Sequence, residues 1–174
     1  MGIEPKYKFD WSLIGDLDVG RPNLGRTTRV EMYRLMQFTF RAALEAEFGT
    51  EAADRVFYQA GLVSGKEFYD RVMPKTNQFD VLIRQLTESL KQFGVGILRI
   101  EKADLESGQF VFTMAEDLDC SGLPEMDYEI CVYDEGFFAG ILESFTGKPF
   151  HVKEIDCWCT GGRICRFSAE SNAG

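Results

Sequence analysis

Histidine is almost missing from this chain: one residue, His151, in 174. A lone imidazole between Phe150 and Val152 offers no catalytic pair or triad, and its neighbours read as ordinary sheet packing. Cysteine is absent before position 120. No apolar run approaches the roughly 18 residues of a membrane span. Met1–Lys6 has no apolar signal core, and Lys6 stands where a myristoylation motif needs Ser or Thr, so a cytoplasmic protein is expected. Gly94-Val95-Gly96 lacks the third glycine of a dinucleotide fingerprint. Bases are the scarcer charge, 19 Lys and Arg against 28 Asp and Glu, for a net charge of −9. Between Glu101 and Glu135 eleven acids face one base, Lys102. Such a surface repels phosphate backbones and anionic lipid, which excludes nucleic acid and the membrane surface as partners.

What is present suits one globular domain. The apolar share is 45 % and the charged share 27 %, and a chain of this length buries one adequate core. Fifteen Phe against six Tyr and two Trp suggest an aromatic core or a pocket borrowed from one. Residues 1–28 read as an N-terminal arm, broken at Gly20, Pro22 and Gly25, which packs on the body or on a partner subunit. Residues 29–170 read as the domain itself.

Three helices are expected first. Thr28-Arg29-Val30-Glu31 fits a capping box, and Tyr33, Met36, Phe40, Ala43 and Leu44 form the apolar stripe of a helix ending near Gly49. A second helix spans about 50–73 and stops at Pro74, with Ala60, Gly61, Ser64 and Gly65 as a small-residue face. In the third, Phe79, Leu82, Ile83, Leu86, Leu90 and Phe93 share one side. The period then drops to two, with Leu98 and Ile100 in one strand and Phe110, Phe112 and Met114 in the next. A helix over about 132–145 follows, in which Gly136 and Gly140 allow close packing against the sheet. A hairpin from Phe150 to Phe167, turning at Thr160-Gly161-Gly162, ends the pattern. Helices before strands make the class α+β, with an antiparallel sheet flanked by helices.

All five cysteines, Cys120, Cys131, Cys157, Cys159 and Cys165, lie in the last third. In a reducing compartment such a cluster reads as metal ligands before it reads as disulfides. Glu154 and Cys157 sit three apart on one arm of the last hairpin, Cys165 is on the other, and Cys131 starts a helix that reaches the same point. In a regular strand, 154 and 157 face opposite ways, so the chain must bend between them. By spacing alone Cys159 and Cys120 compete for these places, and buried idle thiols remain the plain alternative. Asp117-Leu118-Asp119-Cys120-Ser121-Gly122 imitates the start of a calcium loop, but Tyr128 stands where the bidentate Glu is required. A solvated turn is the better reading there.

The segment Cys131-Val132-Tyr133-Asp134-Glu135-Gly136-Phe137-Phe138-Ala139-Gly140, followed by Glu154, Cys157 and Cys165, resembles the 4-vinyl-reductase-type domain. That domain also forms the effector-sensing part of XylR/DmpR-class activators of aromatic-hydrocarbon response. The resemblance runs over about residues 80–168. It implies a structural zinc on Cys131, Glu154, Cys157 and Cys165, and favours Cys157 over Cys159. It also implies the fold shared by heme-nitric-oxide sensors and TRAPP trafficking subunits, with an apolar pocket between sheet and helices. Four protein ligands close the shell, which points to a structural and not a catalytic ion. Lys153, Arg163 or Arg166 would offset its surplus negative charge.

The leading expectation is a zinc-stabilised module that senses or carries a small apolar ligand, with Phe110, Phe112, Met114 and Phe138 as wall residues. A homodimer and a signalling partner protein follow from the resemblance, since the chain shows no DNA-binding or ATPase segment. A component of tetrapyrrole vinyl reduction and a trafficking-type scaffold are the alternatives. The absence of any acid, base or cofactor motif weighs against an enzyme.

Overall fold

Apolar residues recur every three to four positions in the first half of the chain and every second position after residue 96. The computed structural model, which describes residues 7–171, follows that change of period. Its elements are α1 (Leu17–Gly20), α2 (Val30–Phe48), α3 (Thr50–Arg71), α4 (Phe79–Gln92), β1 (Ile97–Asp104), β2 (Gln109–Ala115), α5 (Val132–Thr146), β3 (Phe150–Asp156) and β4 (Cys165–Ser171). Gly49, at φ 82°, joins α2 to α3 without a connecting loop; a side chain there would meet the left-handed penalty.

The four strands form one sheet in the order β1-β2-β4-β3, antiparallel throughout. The class is therefore α+β, as expected. Alternation places Leu98, Phe110, Phe112, Met114, Val152, Phe167 and Ala169 on a buried face, where α4 and α5 cover them. The opposite face carries Arg99, Glu101, His151, Lys153 and Arg166. There Arg166 spans the sheet, donating to Glu101 from β1 and Asp156 from β3.

α3 lies along α5 at backbone contact. A Cβ built at Gly61 would fall 2.0 Å from the Tyr133 carbonyl oxygen, one at Gly65 2.0 Å from that of Phe137, and one at Gly136 2.0 Å from that of Tyr58. Four glycines, one pair per helix, thus set the helix separation. The small-residue face of α3 is confirmed, while Gly136 and Gly140 approach α3 and not the sheet. The reason is that the sheet-facing side of α5 carries its large residues, Phe138 and Ile141 among them.

α2 departs from its expected packing in two ways. Its first helical residue is Val30, Arg29 is the N-cap, and no side-chain cap forms. The Glu31 carboxylate is taken by the Arg29 guanidinium instead of closing a box with Thr28. The stripe also points outward: Met36 is 67 % and Phe40 57 % exposed. The inward side of α2 is polar, built from Tyr33, Arg34, Gln37 and Arg41. Residues 7–28 form a 3-10 turn at Trp11–Ile14 and the single turn α1, capped by the carboxylates of Asp10 and Asp16. None of these residues is buried. No helix among the described residues is long and apolar enough to cross a membrane.

Candidate metal centre and apolar pocket

Four thiols converge at one end of the buried sheet face. Cys165 opens β4 opposite Met114 of β2. Cys157 follows β3 and caps the 3-10 turn Trp158–Thr160. Cys131 is the N-cap of α5, and Cys120 comes from the loop after β2. The bend required between Glu154 and Cys157 is present as a β-bulge between Glu154 and Asp156.

The four sulfurs lie within 4.8 Å of one another, and all four residues are fully buried. Cys120 Sγ is 3.0 Å from Cys165 Sγ, and Cys131 Sγ is 3.8 Å from Cys165 Sγ and 4.0 Å from Cys157 Sγ. A tetrahedron with zinc–sulfur bonds of about 2.3 Å has sulfur–sulfur edges of about 3.8 Å. Spacing, burial and donor softness all fit a zinc-type ion. Of the sequence-expected ligands, Cys131, Cys157 and Cys165 are in this group. Glu154 sits beside it, 1 % exposed. Its Oε2 accepts from the Cys131 amide at 3.3 Å, and its Oε1 has no partner. Cys159 is buried but outside the group, where its carbonyl accepts from the Met126 amide at 2.6 Å. Spacing leaves Cys120 a competitor without a place. It arrives through tertiary contacts of its loop, which no local pattern records.

Protons and charge are concentrated here. Hydrogen bonds from Cys120, then from Cys131 and Cys165, hold the Cys157 thiol far below its ordinary value. The hydrogen bond with Cys120 leads the causes that push Cys131 and Cys165 upward. Burial, then the charge on Cys157, pushes Glu154 up to about 9. Without metal, negative charge thus collects on Cys157 while its neighbours hold their protons. A cation would release those protons on binding.

The loop bearing Cys120 is buried, contrary to the solvated turn expected. Asp117 Oδ1 accepts from the amides of Asp119 and Cys120 at 2.8 and 3.1 Å. Asp119 accepts from Tyr33 Oη at 2.8 Å and from Gln37 Nε2 at 2.7 Å. Burial, with the Asp119 charge next, pushes Asp117 up to about 7. The three bases expected to balance the site are engaged elsewhere: Lys153 with Glu135 at 2.8 Å, Arg163 over Trp158, and Arg166 with Glu101 and Asp156. Lys153 pairs with Glu135 because that carboxylate also accepts the Glu154 amide at 2.9 Å, next to Lys153 in the chain.

A second feature lies between α4 and the sheet. It is a cavity of about 20 Å³ whose lining, including Phe79, Leu86, Ile100, Phe110, Phe112 and Phe138, is entirely apolar. Three of the four expected wall residues are in this lining. Met114 is not; it faces the thiol end of the core, over Gly96 and opposite Cys165. Phe112 and Phe138 meet edge to face at 4.6 Å.

Comparison with known proteins bears out the resemblance. Residues 110–171 match the family model of the 4-vinyl-reductase domain. An uncharacterised protein of Methanocaldococcus jannaschii is 26 % identical over 144 residues, 83 % of this chain and 78 % of its own. Among solved structures, a vinyl-4-reductase family protein from the same organism aligns with a TM-score of 0.63 at 17 % identity, covering 98 % of this chain and 99 % of the other. The phenol-responsive sensory domain of the transcription activator PoxR, solved with phenol, gives a TM-score of 0.61 at 15 % identity over 83 % of this chain and 75 % of that one. Subunit 3 of the trafficking protein particle complex from Naegleria fowleri, covalently bound to palmitic acid, gives 0.65 at 10 % identity over 82 % and 95 %. The fold is that of the vinyl-4-reductase, PoxR-sensor and TRAPP-subunit proteins.

Proposed function

We propose that this chain is a zinc-stabilised module that senses or carries a small apolar molecule in the cytoplasm. The observation that carries the reading is the lining between α4 and the sheet, which presents no polar side chain. Water there would lack the two to four polar partners it needs, so the space suits an apolar guest or none. At about 20 Å³ it holds no aromatic ring as it stands. A guest therefore enters by parting α4 from the sheet, and α4 is the movable wall because its opposite face is polar and free of the core. Two of the similar structures hold phenol and palmitic acid, which supports an apolar guest for this fold.

The zinc is structural. Cys131, Cys157 and Cys165 hold it together with a fourth donor, which from sequence is Glu154. With every position filled by protein, the ion fixes the start of α5 to the last hairpin and leaves no place for substrate. Five free cysteines suit a reducing compartment. The outward apolar side of α2 is the homodimer surface, through which a bound guest would be reported to a partner protein.

The small cavity and the bare face of α2 favour one second reading, a scaffold whose pocket is filled by its own side chains. Vinyl reduction gains nothing from this lining, which has no group to give or take a proton. Thermal-shift titration with phenols, fatty acids and tetrapyrroles separates the readings. Saturable stabilisation by one apolar class, lost in Phe138→Trp, supports the sensor. No uptake by a well-folded dimer supports the scaffold.

A further inference from the structure

Resting on the metal reading above, we infer that Cys120 and not Glu154 is the fourth ligand, and that Glu154 stays outside the ligand shell, held by the Cys131 amide. Ligand atoms that share one ion must lie close to one another, and the group within 4.8 Å consists of Cys120, Cys131, Cys157 and Cys165. Glu154 is absent from it. Its Oε2 already accepts from Cys131 N at 3.3 Å, which orients the carboxylate toward the first turn of α5. A carboxylate in that position braces a ligand's backbone, as partners outside the ligand shell of a metal site commonly do.

Cys120 is built into place from both sides. The Asp117 carboxylate accepts the Cys120 amide at 3.1 Å. Arg34 of α2 donates to the carbonyls of Leu118 at 2.7 Å and Ser121 at 2.9 Å, the second of these next to the cysteine. Its sulfur faces Cys165 at 3.0 Å. A loop residue that only filled space would not need its backbone gripped on either side.

The assignment has a consequence for the whole chain. Three ligands come from α5 and the last hairpin, and the fourth comes from a loop that α2 clamps through Tyr33, Arg34 and Gln37. The metal therefore ties the N-terminal helix, with its outward apolar side, to the sheet end of the pocket. Arg34→Met removes the clamp while touching no ligand, and it should weaken metal affinity by roughly tenfold, the lower end of such supporting effects.

The test is X-ray absorption on the zinc-loaded full chain, with visible spectra of the cobalt-loaded chain. Wild type should show four sulfur neighbours and no light-atom ligand. Cys120→Ala should lose about a quarter of the thiolate-to-cobalt charge-transfer intensity, one donor of four. Glu154→Gln should keep it. Three sulfurs and one oxygen in wild type, with Cys120→Ala spectrally unchanged, would overturn the assignment while leaving the metal reading intact. Failure of wild type to take up zinc or cobalt would overturn both. The sulfur count in wild type decides the matter even where a variant fails to fold.

Discussion

α5 and α2 are helices of comparable length with opposite fates. Of the fifteen residues of α5, ten are buried, among them Asp134 and Glu135. Of the nineteen of α2, one is buried, and it is Arg41. α5 is enclosed by α3 on one side and the sheet on the other, so its neighbours within the chain satisfy its apolar residues. α2 turns its polar side inward, where Tyr33, Arg34 and Gln37 meet the acidic loop. It leaves Met32, Leu35, Met36 and Phe40 more than half exposed. Solvent alone does not favour that arrangement. The difference separates a region that is complete within one chain from a region that is complete only in an assembly.

Metal removal should break the α5 side most severely. A structural zinc can contribute on the order of 10 kcal/mol, so chelation, or Cys131→Ser, should lower the melting temperature more than any other change; calorimetry with and without chelator reads this. Next is Gly136→Val. Its side chain meets the Tyr58 carbonyl on α3, and a loss beyond about 4 kcal/mol is expected, in the range reserved for severe overpacking. Denaturant midpoints measure it. Phe112→Ala should then cost about 3 to 5 kcal/mol through lost burial and a new void. If that variant instead melts like wild type, the pocket is open space and the aromatic packing around Phe138 is not core.

Two smaller effects sharpen the contrast. In the metal-free chain, burial lifts Asp117 from 3.8 to about 7 and Glu154 from 4.5 to about 9. Raised folded values mean that these groups favour the folded state fully below about pH 4 and lose that contribution as pH rises through 7 and 9. Metal binding releases protons and strengthens in the same direction. Melting temperatures of metal-free and zinc-loaded protein should therefore diverge steadily from pH 5 to 9; parallel curves would deny the proton linkage. On α2, Met36→Glu with Phe40→Glu should shift folding stability by less than about 0.5 kcal/mol, as at ordinary surface sites. The same pair should turn a dimer into a monomer in sedimentation.

The parts read correctly from sequence are those where one local period has one structural answer. The strand alternation of Phe110, Phe112 and Met114 and the helix after Cys131 are of this kind. So is the bend forced between Glu154 and Cys157. The stripe on α2 misled because a period tells that one side is apolar, not what that side faces; an acidic loop eighty residues later decided it. Gly136 and Gly140 signalled close approach but could not name α3 as the neighbour. Cys120 was passed over for the same reason as the α2 side. It joins the other thiols only through Asp117, Asp119 and the α2 clamp, contacts that connect distant parts of the chain.

The central claim is that the buried thiol cluster is a metal centre that holds the last hairpin to α5. Elemental analysis of the chain purified without chelator tests it most directly. The account predicts about one zinc per chain, with loss of metal and of cooperative melting together when it is stripped. Less than about a tenth of an equivalent of any transition metal, in protein that still melts cooperatively, would contradict it.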